Sequence, residues 1–249
     1  MGIITPTNKT ATTLTGLHLY HFRKSNCSMR VRITLEEKCV PWISHHLDLH
    51  KAENITPEYF DIHPKGLVPT LVHDGVVIIE STDIIYYLDD TYASPALRPK
   101  NKLDQKKMLS WMRLATDHHI HVKAYMFANQ IGKSLAKNES ELNLYRQLQK
   151  NEELLEFHVE NSLPEGLSKK RLTKATKKLN NCFSRIERKL EEQEWTAGDA
   201  FSLSDITWIP LYVTLHSAKF PFENYPNIIR WKEAIWKRPS FQKAVLEWM

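Results

Sequence analysis

The stretch 63-HPKGLVPTLVHDGVVIIESTDIIYYLDD-90 reads as strand, tight turn, strand and helix. Val68-Pro69 leads into an extended run through Thr70, Leu71 and Val72, Asp74-Gly75 is a two-residue hairpin signal, and Val76 to Ile79 is a β-branched return strand. A proline opening a strand cannot donate to the ladder, so it is expected at an edge or bend, where unpaired backbone is open to an extended ligand. Glu80-Ser81 falls where the second strand gives way to a helix carrying Ile84, Ile85 and Leu88 on one face. An exposed helix start presents free N–H groups and the positive end of the helix dipole, which suits a carboxylate.

Working outward, 19-LYHFRKSNCSMRVRITLEEK-38 begins as a strand at Leu19 to Phe22 and breaks at Arg23 to Asn26. It resumes as a helix with Val31 and Leu35 four apart. The polar turn places Ser25, Asn26 and Cys27 at a helix N-terminus. A thiolate docked there gains from the dipole and from a hydroxyl donor. That matters chemically, because a thiol of pKa near 8.5 is only about 3% ionised at pH 7 and the thiolate is the nucleophile. Ser25 reads either as such a donor or as a plain helix cap, and Cys27 either as a working thiol or as a small buried hydrophobe.

Both stretches resemble the glutathione transferase superfamily. The resemblance implies an α/β thioredoxin-like N-terminal domain followed by an all-α C-terminal domain. It implies that Pro69 is cis, that the Val68 backbone pairs with the cysteinyl part of glutathione, that Glu80 takes its amino group and that Ser81 takes its γ-glutamyl carboxylate. Residues 19–33 resemble the zeta-class signature, with Ser25 at the catalytic serine position and Asn26, beside the thiol, in place of a second serine. Ser25, Cys27, Ser28 and Met29 also match the tetrachlorohydroquinone dehalogenase group, which assigns Cys27 a second role in thiol exchange. His50, and Asn54 in the loop after it, are candidates for the glycine carboxylate of glutathione. The resemblance further implies glutathione as cosubstrate and a homodimer.

Composition fits this picture. The 249 residues are 42% hydrophobic, enough for two compact domains. The first sixteen are polar and rich in threonine, and read as a loose, flexible arm and not a targeting segment. Three cysteines in separate segments argue against a disulfide framework or zinc ribbon and for a reducing compartment, hence a cytoplasmic location. No apolar run has the length to span a bilayer, so no membrane partner is expected. The net charge of +5 raises the question of nucleic acid. However, the basic cluster at 169–189 carries Leu172, Thr176, Leu179, Phe183, Ile186 and Leu190 at helical spacing, which reads as one buried stripe with a solvated lysine face.

Along the chain, 17–22, 42–49 and the hairpin read as strands, with helices at 26–38, near 57–62 and at 81–91. The expected division is 1–16 arm, 17–92 glutathione-binding domain, 93–102 linker with Pro95 and Pro99, and 103–249 helical domain. Within the last, 103–158 reads as long helix with a break at Asn138 or Ser140, and Ser202-x-x-Asp205 before an apolar run reads as a capping box. Asp117, His118, His119 and His121 share one helix. Asp117 and His121 are i,i+4, but no further ligand at metal spacing is visible, so no metal is expected. The resemblance makes His118 and His121 candidates for the second-substrate pocket. The expected function is attack of an activated glutathione thiol on a small electrophile, such as a halogenated aromatic, an aryl ether or a maleyl compound. The alternative is a binding or structural protein of the same fold, with little turnover.

Overall fold

The computed structural model describes residues 2–249, the side chain of Lys133 excepted. Its first part comprises β1 (Ile3–Ile4), β2 (Leu17–His21), α1 (Asn26–Lys38), β3 (Ile43–His46), α2 (Pro57–Phe60), β4 (Thr70–His73), β5 (Val76–Ile78) and α3 (Ser81–Thr91). The strands form one mixed sheet in the order β1-β5-β4-β2-β3. Strands β2 and β3 are parallel, joined through α1, and the remaining pairings are antiparallel. Strand β3 is shorter than the expected 42–49, because the Asp48 side chain accepts from the His50 amide at 2.9 Å and starts a 3-10 turn. At the hairpin, Asp74 and Gly75 take φ of 47° and 79°. A side chain at Gly75 would place its Cβ 2.4 Å from the Thr12 carbonyl oxygen, so the turn needs glycine for space as well as conformation.

Of the edge or bend expected for Pro69 the bend is found, and one other expectation changes. Strand β4 lies inside the sheet, paired on both sides, and not at an edge. Pro69 avoids the ladder by standing one residue before Thr70, the first paired position, and the Val68–Pro69 peptide is cis. The segment read as a loose, flexible arm is docked: Ile3 pairs with Ile78 in the sheet, and Ala11 is fully buried against Val72, Val77 and their neighbours. Threonine-rich polarity concealed the few apolar residues that hold it.

The second part is helical: α4 (Lys102–Met126), α5 (Glu139–Leu148), α6 (Glu152–Ser162), α7 (Lys169–Glu192), α8 (Leu203–Ser217), α9 (Pro226–Trp236) and α10 (Pro239–Ala244). Helix α8 is buried from Leu203 to Leu215, and a helix apolar all round belongs at a core centre. It packs on α4 and on α1, so one helix joins the two halves. The capping box forms, and Asp205 does more than cap: it accepts from Ser202 N at 2.9 Å, Thr196 N at 2.9 Å and the Trp231 indole at 2.9 Å. The α7 stripe is buried at Leu179, Phe183, Ile186 and Leu190, with Ala175 and Cys182 in place of Leu172 and Thr176.

The expected long helix over 103–158 breaks more than once. Helix α4 ends at Met126, irregular turns follow to Leu135, Asn138 caps α5 with Glu141 in a capping box, and Asn151 caps α6. Pro-containing residues 93–102 are strapped down. Buried Asp89 accepts from the Leu97 amide at 2.9 Å and pairs with Lys38 at 2.5 Å and Arg98 at 2.6 Å.

Candidate active site

The end of β2 and the start of β4 lie side by side, and the starts of α1 and α3 meet through Arg30 and Ser81, with α4 touching α1 at Cys27. Ser25 caps α1, its hydroxyl oxygen accepting from the Ser28 amide at 3.2 Å. Accepting leaves the Ser25 O–H free to donate, so cap and thiol donor are compatible roles. Asn26 is buried, with its side-chain oxygen 3.0 Å from His119 Nε2. Cys27 Sγ lies 3.5 Å from the same nitrogen and 3.9 Å from an Arg30 guanidinium nitrogen.

Arg30 and Arg32, two residues apart and so on opposite faces of a helix buried on nearly every side, end differently. Arg32 is fully engaged, donating to the Ala244, Phe22 and Arg23 carbonyls. Arg30 donates from Nε to the Thr207 carbonyl at 3.0 Å and from Nη1 to Ser81 Oγ at 3.0 Å, while its buried Nη2 has no partner. A buried guanidinium without a carboxylate leaves positive charge uncompensated beside the thiol. Burial pushes the Cys27 thiol up, but the fields of His119 and Arg30, with hydrogen bonds from His119 and Ser81, outweigh it and hold the group at about 6.

Ser81, at the first turn of α3, is buried and faces Arg30. Glu80 carries a positive φ of 65° at the helix cap, and its carboxylate pairs with Lys65 at 2.8 Å. Asn54 donates to the Gly66 carbonyl at 2.7 Å, bracing the turn that leads into Val68. His50 is exposed and its Nδ1 stands 3.4 Å from the Ser134 carbonyl, across from the irregular turns after α4. Gln149, between α5 and α6, donates to the Lys65 carbonyl at 2.9 Å. The middle of the helical part therefore leans onto the first part at two points.

The residues 19–96 match the glutathione S-transferase N-terminal domain, and 116–239 match the glutathione S-transferase C-terminal domain. The chain belongs to the glutathione S-transferase family. It is 28% identical to glutathione S-transferase Z2 of Arabidopsis thaliana, over 93% of this chain and 91% of that one. Protein LigF of Sphingobium sp. is 26% identical, over 91% and 92% of the two chains. The crystal structure of the β-etherase LigF superposes with a TM-score of 0.84 at 25% identity, covering 92% of this chain and 98% of that one.

Of the histidines on α4, the fold brings His119 to the Cys27 thiol, not His118 or His121. His118 Nδ1 is 2.9 Å from the Leu114 carbonyl, and its ring meets that of His121 edge-on at 5.8 Å. The expected pocket pair thus engages its own helix, because a helical turn of 3.6 residues sends successive positions to different faces. Among the described residues, no three His, Cys, Asp or Glu side chains converge as a metal site would require. Neither Lys123 nor His158 stood out in the sequence. Arg30, set between Met29 and Val31 in a helix of buried character, carried a signal, whereas His158, on α6, meets Lys123 only through the folding of the middle helices.

Proposed function

We propose that this protein is a glutathione-dependent transferase whose Cys27 is a second working thiol. The observation that supports the reading is the pairing of Cys27 with His119 and an uncompensated Arg30 at the start of α1. Ser25 donates to the glutathione sulfur, and Asn26 lies beside it. The Val68 backbone pairs with the cysteinyl unit, next to Pro69. Glu80 and Ser81 take the γ-glutamyl amino group and carboxylate, and His50 and Asn54 stand toward the glycine end. The protein acts as a homodimer, which light scattering would report as about twice 29.2 kDa.

In the first step the glutathione thiolate bonds to an electrophilic carbon, and a halide or aryloxide leaves with the bonding pair. In a reductive route the Cys27 thiolate then attacks the sulfur of the conjugate. The carbon–sulfur bond breaks, the carbon takes a proton, and glutathione remains on Cys27 as a mixed disulfide. A second glutathione thiolate attacks that disulfide, releasing oxidised glutathione and the Cys27 thiolate.

The test is retention on immobilised glutathione followed by turnover of a halogenated hydroquinone. Mass spectrometry of the quenched wild type is expected to show one glutathione on the peptide carrying Cys27, and Cys27→Ser is expected to stop at the glutathionyl aryl product. Full reduction by the serine variant, without any adduct in the wild type, would leave a plain transferase. Failure to bind glutathione or turn over any aryl halide would favour a binding or structural protein of the same fold.

A further inference from the structure

One turn beyond His119 on the same face of α4 stands Lys123, about 6 Å along the axis. Its ammonium lies 3.0 Å from His158 Nε2 on α6 and over the rings of Phe157 and Phe127, at 4.5 Å and 5.5 Å from their centres. Among the described residues no carboxylate stands within ion-pair distance of Lys123. Lysine has three donors, and the imidazole accounts for one of them. Its neighbours aggravate the imbalance. Lys137, whose ammonium lies over the Tyr145 ring at 5.1 Å, repels it, and the buried Nδ1 of His158 has no partner. Burial, then Lys137, push the Lys123 ammonium down to about 7, while the charges of Cys27 and Glu153 act the other way. His119, one turn before Lys123 on the same face, is 3.5 Å from the Cys27 sulfur, so the lysine lies on the side of α4 that faces the thiol. Lys123 is half-buried.

We propose that Lys123, supported by His158 and Lys137, is the binding site for a carboxylate on the second substrate, about one helical turn from the carbon that the thiol attacks. An acidic group there supplies the counter-charge that the fold omits and fixes the distance between anion and electrophilic carbon. This rests on the glutathione transferase reading and deepens it by naming the substrate class as carboxylate-bearing electrophiles. The glycine carboxylate of glutathione has the same chemistry, and the experiment separates the two.

Calorimetry with S-benzylglutathione, S-(4-carboxybenzyl)glutathione and the corresponding benzamide conjugate needs no turnover. Wild type is expected to bind the carboxybenzyl conjugate at least about tenfold more tightly than the amide, in keeping with a charge-assisted hydrogen bond. Lys123→Met is expected to erase that preference, to keep the affinity for S-benzylglutathione, and to melt cooperatively as the wild type does. Lys123→Arg is expected to restore part of the preference. Equal binding of acid and amide by wild type overturns the proposal while leaving the transferase reading intact. So does a tenfold loss of S-benzylglutathione affinity in Lys123→Met, which would assign the lysine to the glycine end of glutathione. A wild type that binds none of the three overturns the transferase reading itself.

Discussion

Cys27 shows how a single atom's surroundings set its chemistry. The other two cysteines bracket it: Cys182 is buried among apolar side chains and pushed up to about 12, and Cys39 is exposed at the end of α1. Cys27 is opposed by burial but favoured by His119 and Arg30, and the charges prevail. Its thiol, held at about 6, is roughly nine-tenths ionised at pH 7. Removing the neighbour that lowers the thiol most, His119→Ala, is expected to slow iodoacetamide alkylation of Cys27 about threefold or more at pH 7, with the two proteins converging near pH 9. Absorbance at 240 nm across the same range would show the titration move upward. Equal alkylation at both pH values would mean that Arg30 and the helix start set the thiol alone.

Helix α8 presents a different problem, that of fastening an element with almost no wet face. Its apolar sides give burial but little direction, and Asp205 supplies the direction by accepting from the start of its own helix, from Thr196 and from Trp231 on α9. Thr196 and Ser202 are themselves buried, so truncation of Asp205 leaves several donors without water or protein partners. Asp205→Ala is expected to cost about 3 kcal/mol or more in urea unfolding, and Asp205→Asn, which keeps one acceptor, less. A loss below about 1 kcal/mol in the alanine variant would show that relaxed backbone or water replaces the carboxylate. Ser25 caps α1 by a single bond, so its replacement is a smaller matter for stability, on the order of 1 kcal/mol.

For the molecule as a whole, the histidines set how stability responds to acid. His21 is fully buried between Ser44 and Arg32, and burial followed by the Arg32 charge pulls it down to about 3. Burial likewise lowers His63 to about 4. Each folded value lies below the unfolded one near 6.5, so the unfolded chain takes up the proton first. Their contribution is complete above pH 6.5 and lost as pH falls toward 4 and then 3, at up to about 1.4 kcal/mol per pH unit for each group. Urea midpoints are therefore expected to fall steadily from pH 7 to pH 5, a range in which ordinary carboxylates titrate little. A midpoint unchanged over that interval would show that these rings protonate in place.

What was legible in the chain was whatever depends on near neighbours. The hairpin at Asp74-Gly75, the helix starts at Asn26 and Ser81, the Ser202-x-x-Asp205 box and the order of strands and helices follow from turn chemistry, side-chain caps and apolar spacing, all of which act within a few residues. Ser25, Cys27, Glu80 and Ser81 stood out because they sit at those local boundaries. The tertiary structure alone decided which histidine of α4 meets the thiol, that Arg30 lacks a counter-charge where Arg32 is fully engaged, that the polar first residues add a strand, and that Lys123 faces His158 from another helix. The physical reason is that these contacts join residues far apart in sequence. Their geometry depends on the phase of one helix against another, and a spacing rule within a single element carries no information about that phase.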